Sequence, residues 1–326
     1  MRYDDQDRES KNIEDRRDQD GGGVFPGMRG GMQIPIPLGG GGLSFTTMLI
    51  VGAIMLLFGM NPLDLLRGMG QGGGGGIQIP LPQSGQSDPR TGNNPFRLPG
   101  DAAGQAKAPV GEDEMRKFVG HVLADTEDVW TRAFKTFGKT YEDPQLVIFR
   151  GATRTACGAG QTAMGPFYCP NDHKVYIDLA FYDQLKRQFN APGEFAQAYV
   201  VAHEVGHHVQ TLLGITDKIQ QLRENMDEKQ SNALQVRMEL QADCLAGVWA
   251  NLNEQLKPRL ETGEIEQALN AASQIGDDTL QRRMTGHIVP DAFTHGTSAQ
   301  RVKWFKQGIS SGQIQGCDTF NTRDLG

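Results

Sequence analysis

The chain is 326 residues long, enough for one large or two small domains. Glycine makes up 42 of the residues, and the excess concentrates in the first hundred, so the globular part is smaller than the length suggests. A net charge of −7 without a long basic cluster argues against nucleic acid as a partner.

Taken in order, residues 1–42 read as a disordered tail: a highly charged start followed by a Gly-rich stretch, neither able to build a core. Residues 43–60 carry no charge over 18 positions, the length needed to cross a bilayer, and are expected to be a transmembrane helix. They lie too far from the start, behind too acidic a tail, to be an ordinary signal peptide. Residues 61–111, with the pentaglycine at 72–76 and repeated prolines, read as a flexible linker. The globular domain is expected over 112–326. Within it, an apolar face marks a helix over 113–138, and Gln145 to Arg150 reads as a buried strand. Gly165–Tyr168 and Lys174–Asp178 read as two further strands around a turn at Pro170-Asn171-Asp172. Helices are expected over 179–190, 194–213, 216–233, 234–254 and 262–284, with a last one after Thr294.

The helix over 194–213 contains His203-Glu204-Val205-Gly206-His207. Residues four apart share a helix face, so His203 and His207 can point two imidazoles at one metal ion. Glu204 is rotated by about 100° from His203. It flanks the ion and keeps its carboxylate free to take a proton from the attacking water. Two solvated surface histidines are the bland alternative, but the flanking residues are small and apolar, and a buried helix does not carry such groups without partners. His208 points away from His203 and is expected to be structural, whereas His121 and His173 read as surface residues.

A hydrolytic zinc site needs a third protein ligand. Glu239, 32 residues beyond His207 in Met238-Glu239-Leu240-Gln241-Ala242-Asp243, is the candidate. Asp243, one turn on, would accept the free N–H of a ligating histidine and fix its tautomer. Further on, His295 is a candidate donor to the oxyanion, in a segment that looks like a loop returning to the site. Arg301 would orient Asp243 or a substrate carboxyl group.

The four cysteines form no CxxC pair. Cys157 with Cys169 and Cys244 with Cys317 are the simplest disulfides, although four reduced thiols fit the sequence as well and sequence does not settle connectivity.

HExGHHxQ followed by ELQADCLAGVWA resembles the neutral zinc metallopeptidases of bacteria (YpfJ-like). Thr155–Gly158, Gly165–Pro170 and Thr294–Arg301 are similar to segments of the same family, and the resemblance covers nearly the whole chain. The Glu-x-x-Ala-Asp element is also similar to zincins that take Glu as third ligand, such as HtpX-like membrane peptidases. The resemblance implies an α+β fold: a mainly helical zincin-like domain with a small β-sheet. It implies Zn²⁺ as cofactor, peptide or protein substrates, and an edge strand in the 165–178 hairpin that binds extended substrate.

The expected activity is therefore zinc-dependent endopeptidase chemistry with Glu204 as general base. The expected setting is a single-pass protein of the bacterial inner membrane, anchored in the bilayer through 43–60, with its catalytic domain in the periplasm. A metal-stabilised envelope scaffold that binds peptides without cutting them is the alternative, and intact Glu204 speaks against it. A zinc hydrolase of a non-peptide amide is the third reading.

Overall fold

A computed structural model describes residues 1–4, 6–18, 110–161, 165–187 and 193–326. Residues Met1–Val24 and Gly111–Gly326 form one compact unit. The expected span at 43–60, nearly all of the linker at 61–111 and the Gly-rich part of the tail lie outside the described residues.

A four-stranded sheet runs in the order β1 (Ile13–Asp15), β2 (Gln145–Phe149), β6 (Lys174–Asp178), β5 (Phe167–Cys169). The β1–β2 and β2–β6 pairs are parallel, and β5 returns antiparallel to β6. A separate hairpin, β3 (Ala152–Thr155) and β4 (Gly158–Gln161), follows β2. Side chains alternate along a strand, so each strand serves two faces. Leu146, Ile148, Val175 and Ile177 face the main core, while Val147, Phe149 and Tyr176 form a smaller cluster with Cys169 and Phe167. The β3–β4 hairpin covers that second cluster. A Cβ on Gly160 would stand 2.5 Å from the Phe167 ring, so a larger residue there would have to displace that ring.

The helices are α1 (Val110–Thr136), α2 (Ala180–Arg187), α3 (Glu194–Leu212), α4 (Ile215–Arg223), α5 (Glu228–Leu256), α6 (Glu264–Gln274), α7 (Asp277–Thr285) and α8 (Ser298–Ser311). The three expected strands and the expected helices are present, but β1, β3 and β4 are not among the expected strands, and two helix boundaries differ. The expected helices at 216–233 and 234–254 meet not at 233 but at 224–227, where Asp227 and Gln230 form a capping box that starts α5. The expected helix at 262–284 is two helices, broken at Gly276, where a Cβ would lie 2.4 Å from the backbone nitrogen of Ser298.

Helix α5 is the central element, and small residues set how close its neighbours come. A Cβ on Gly206 of α3 would lie 3.0 Å from the Ala242 carbonyl oxygen of α5. On the other side, Gly308 of α8 sits against the Cys244 carbonyl, and Gly247 of α5 against that of Phe305. The bridges Cys157–Cys169 and Cys244–Cys317 are both formed, and the second ties the C-terminal segment to α5.

Two expectations about the N-terminal half are corrected. Residues 1–18 are not a disordered tail. Arg8 reaches Glu127, Asp128 and the Ala124 carbonyl on α1, Arg17 pairs with Asp15 and Asp113, and Arg259 clasps Asp7 and Asp125. Ile13 to Asp15 then add a parallel strand to β2. The charges that argue for disorder within the segment are answered by complementary charges far along the chain, which a composition rule does not see.

The single-pass periplasmic setting is also overturned. Among the described residues no helix is long and apolar enough to cross a membrane. Moreover, one crossing between residues 18 and 110 would put β1 on the opposite side of a bilayer from β2, the strand to which it is hydrogen-bonded. His121, expected at the surface, is buried, with Nδ1 against the Arg8 carbonyl and its ring stacked on Tyr3.

Candidate metal centre

The crossing of α3 and α5 at Gly206 and Ala242 builds the site. His203 and His207 bracket Gly206 on one helix, and Glu239 and Asp243 bracket Ala242 on the other. The 3.6-residue period turns each pair to the same face. One donor atom each from His203, His207 and Glu239 lies within 4.8 Å of the others. Glu239 Oε2 is 3.2 Å from His203 Nε2 and 3.5 Å from His207 Nε2.

The outer nitrogens of both rings are held. His203 Nδ1 is 2.8 Å from Asp243 Oδ1, and His207 Nδ1 is 2.8 Å from Gln210 Oε1. The Gln210 amide nitrogen donates to the Met238 carbonyl and to Gln241, which fixes its oxygen as the acceptor. Both acceptors require Nδ1–H, so both Nε2 atoms face the Glu239 carboxylate, where each is either protonated or free to ligate a metal ion. Asp243 also accepts from the Tyr199 hydroxyl and from Arg301, whose Nε and Nη2 each stand 2.9 Å from a carboxylate oxygen. Gln235 donates to the other Glu239 oxygen.

Without a metal ion, the carboxylates are balanced by protonating the rings: burial disfavours imidazolium, but Asp243 and Glu239 outweigh it and lift the His203 pKa to about 10, and Glu239 lifts that of His207. Glu239 and Asp243 are buried, and Arg301 neutralises only one of them. Burial pushes the Asp243 carboxyl up, but Arg301 and His203 outweigh it and hold the pKa at about 2. Burial likewise opposes ionisation of Glu239, and the His207 and His203 imidazoles pull it well below the carboxylate range. A divalent ion at the focus of the three donor atoms would take the place of those protons and balance the carboxylates with both rings neutral. Two imidazoles and a carboxylate are also the donor set zinc takes in hydrolases. The residues present therefore fit zinc.

Other sequence candidates divide. Glu204 is 8% exposed, and its carboxylate makes no hydrogen bond or ion pair among the described residues. Its charge acts on His207 and on Tyr182. His295 is half-exposed, with Nδ1 3.1 Å from Asp277 Oδ1. Arg301 binds Asp243, in line with one of its two expected roles. His208 is no ligand: Nδ1 meets the Tyr168 hydroxyl at 3.1 Å and Nε2 donates to the Glu142 carbonyl at 2.7 Å. Its burial lowers its pKa to about 4. It is a neutral tie between α3 and the edge strand β5.

The sequence reading missed Tyr199, Gln210 and Asp277. Tyr199 is one turn before His203, and Gln210 is three residues after His207, so helical spacing alone could have found both. No local pattern marks Asp277.

The family model described as "Putative neutral zinc metallopeptidase" matches residues 1–320. The chain belongs to this family. Among relatives, YpfJ of Escherichia coli (strain K12), described as an uncharacterized protein, is 49% identical over 313 residues, covering 96% of each chain. The uncharacterized protein Rv2575 of Mycobacterium tuberculosis (strain ATCC 25618 / H37Rv) is 40% identical over 223 residues, covering 65% of this chain and 74% of that one. No solved structure matches the chain.

Proposed function

We propose that this metallopeptidase-family chain is an active endopeptidase, with zinc held by His203, His207 and Glu239. The observation that carries the reading is the convergence of those three donor atoms, with a buried Glu204 that makes no hydrogen bond or ion pair among the described residues. Bound zinc would supply Lewis acidity, acidifying water and polarising the scissile carbonyl.

This chain's own groups would do the rest. Asp243 and Gln210 hold the two Nδ1–H groups, so the rings keep their orientation through turnover. The Glu204 carboxylate takes the proton of the attacking water and returns it to the leaving amine. His295 donates to the oxyanion through Nε2. Strand β5 is an edge, with β6 as its neighbour in the sheet, and His208 ties it to α3 through Tyr168. An extended peptide would add to that edge through backbone hydrogen bonds, which select shape over side-chain identity.

The test uses the full chain loaded with zinc and a quenched fluorescent peptide library. Glu204→Gln should keep its zinc and lose cleavage by about 100-fold or more. Undiminished cleavage in that variant would remove Glu204 as the base. No cleavage by the wild-type chain, with zinc bound and peptides retained, would favour the scaffold reading.

A further inference from the structure

We propose that Asp277 is the positioning residue for His295, fixing the 294–296 turn and the imidazole ring so that Nε2 faces the scissile carbonyl. The role given to His295 rests on the peptidase reading, whereas the pairing of the two side chains does not.

Asp277 opens α7, where an acid usually serves only to complement the helix dipole from the surface. Here it is 8% exposed and fully engaged. Its Oδ2 accepts the backbone N–H groups of Thr294 at 2.7 Å, His295 at 2.6 Å and Gly296 at 3.1 Å. Its Oδ1 lies 3.1 Å from the His295 ring at Nδ1, which the Thr294 hydroxyl also approaches at 3.1 Å. Its own N–H donates back to the Gly296 carbonyl at 2.9 Å. Next to it, Asp278 accepts from the backbone and hydroxyl of Ser298, which fastens the far end of the same turn to α8.

The turn is held against the metal centre. Gly296 has φ +90°, and a Cβ there would meet Val236 at 3.2 Å and Leu240 at 3.3 Å. Those two residues flank Glu239 on α5, so the turn lies over the helical turn that carries the third ligand. The charges of His295 and Glu239 accordingly act on one another. With Nδ1 committed to Asp277, Nε2 is the nitrogen left to work, on a ring whose side chain is 49% exposed. A carboxylate that binds both the backbone and the ring of one residue fixes position and tautomer together.

The experiment compares Asp277→Ala, Asp277→Asn, His295→Ala and the double variant Asp277→Ala/His295→Ala in the zinc-loaded full chain. Zinc content and melting temperature check folding, and Asp277→Asn keeps an acceptor for the backbone should the alanine variant fold poorly. The expected result is a kcat about 100-fold lower in either alanine variant. KM should change little, and the double variant should be no slower than His295→Ala. Selective ¹⁵N labelling of the seven histidines, assigned with His295→Ala, supplies a readout without activity. The Nδ1–H signal of His295 should shift strongly in Asp277→Ala, where only the Thr294 hydroxyl remains within reach. Independent, multiplying losses of kcat, a loss confined to KM, or an unchanged His295 signal would each overturn the positioning role. A wild-type chain without peptidase activity whose His295 signal still depends on Asp277 would refute the peptidase reading and leave the pairing in place.

Discussion

Two regions of this molecule bury charge, and they do so differently. Around the N-terminal segment each charge meets its opposite: Arg8 with Glu127, Arg17 with Asp15, and Arg259 with Asp7 and Asp125. At the crossing of α3 and α5, two carboxylates face one guanidinium, and two imidazole Nε2 atoms point inward. The first arrangement is complete and serves the fold. The second balances its carboxylates only by protonating imidazoles whose inner nitrogens a metal ion would otherwise take, and that choice is what makes it a site. Buried ionic groups point to function where their balance rests on exchangeable protons, and to architecture where they pair off.

Substitutions can break the contrast. Asp243→Ala should have the largest effect. It strands buried Arg301 without a carboxylate and frees His203 Nδ1, so the apoprotein should lose about 3–5 kcal/mol in denaturant unfolding, and zinc affinity should fall as well. Separating Cys244 from Cys317 with a double serine variant opens a 73-residue closure. A cost of about 4 kcal/mol is expected from chain entropy, with zinc affinity reduced less than by Asp243→Ala. Gly206→Ala presses a methyl group onto the Ala242 backbone. It should cost about 1–3 kcal/mol and weaken zinc binding, because the helix crossing itself sets the ligand spacing. In the N-terminal region Asp125→Ala should cost a comparable or smaller amount, since Arg259 keeps Asp7, and should leave zinc stoichiometry untouched. Loss of zinc in that variant would erase the distinction between the two regions.

The smallest expected effect concerns acid. The hydrogen bond from Arg16, with Lys174 adding to it, holds the Glu14 pKa at about 2, below its ordinary 4.5, against the opposing effect of burial. A carboxyl depressed in the folded state contributes stability above its unfolded pKa and loses it as pH falls toward the folded value. The attachment of β1 should therefore weaken between about pH 5 and pH 2, by a small amount because Glu14 is partly solvated. Hydrogen exchange at Ile13–Asp15 reads this directly, and Glu14→Gln should flatten the acid dependence.

The same contrast explains what was legible in the sequence. His203, His207, Glu239 and Asp243 are spaced by helical periodicity, and short-range periodicity survives folding unchanged. The parallel pairing of β1 with β2 joins residues more than a hundred positions apart, and its ion pairs are invisible to any local window. The uncharged stretch at 43–60 reads locally as a membrane span, but a single crossing conflicts with the sheet that residues 13–15 and 145–149 share. Asp277 shows the same limit inside the site: it is an ordinary helix-opening acid until the turn at 294–296 folds onto it. Gly206, Gly247 and Gly308 stand in plain view in the sequence, but only the helix crossings give them meaning.

The central claim is that three side chains from two helices share one zinc ion. Metal analysis of the full chain after zinc loading and desalting tests it most directly. The expected result is about one zinc per chain in the wild type and in Glu204→Gln, and a loss of that zinc in His203→Ala, His207→Ala and Glu239→Ala. Zinc retained at full stoichiometry when any one of those three is replaced, with affinity unchanged, would contradict the account.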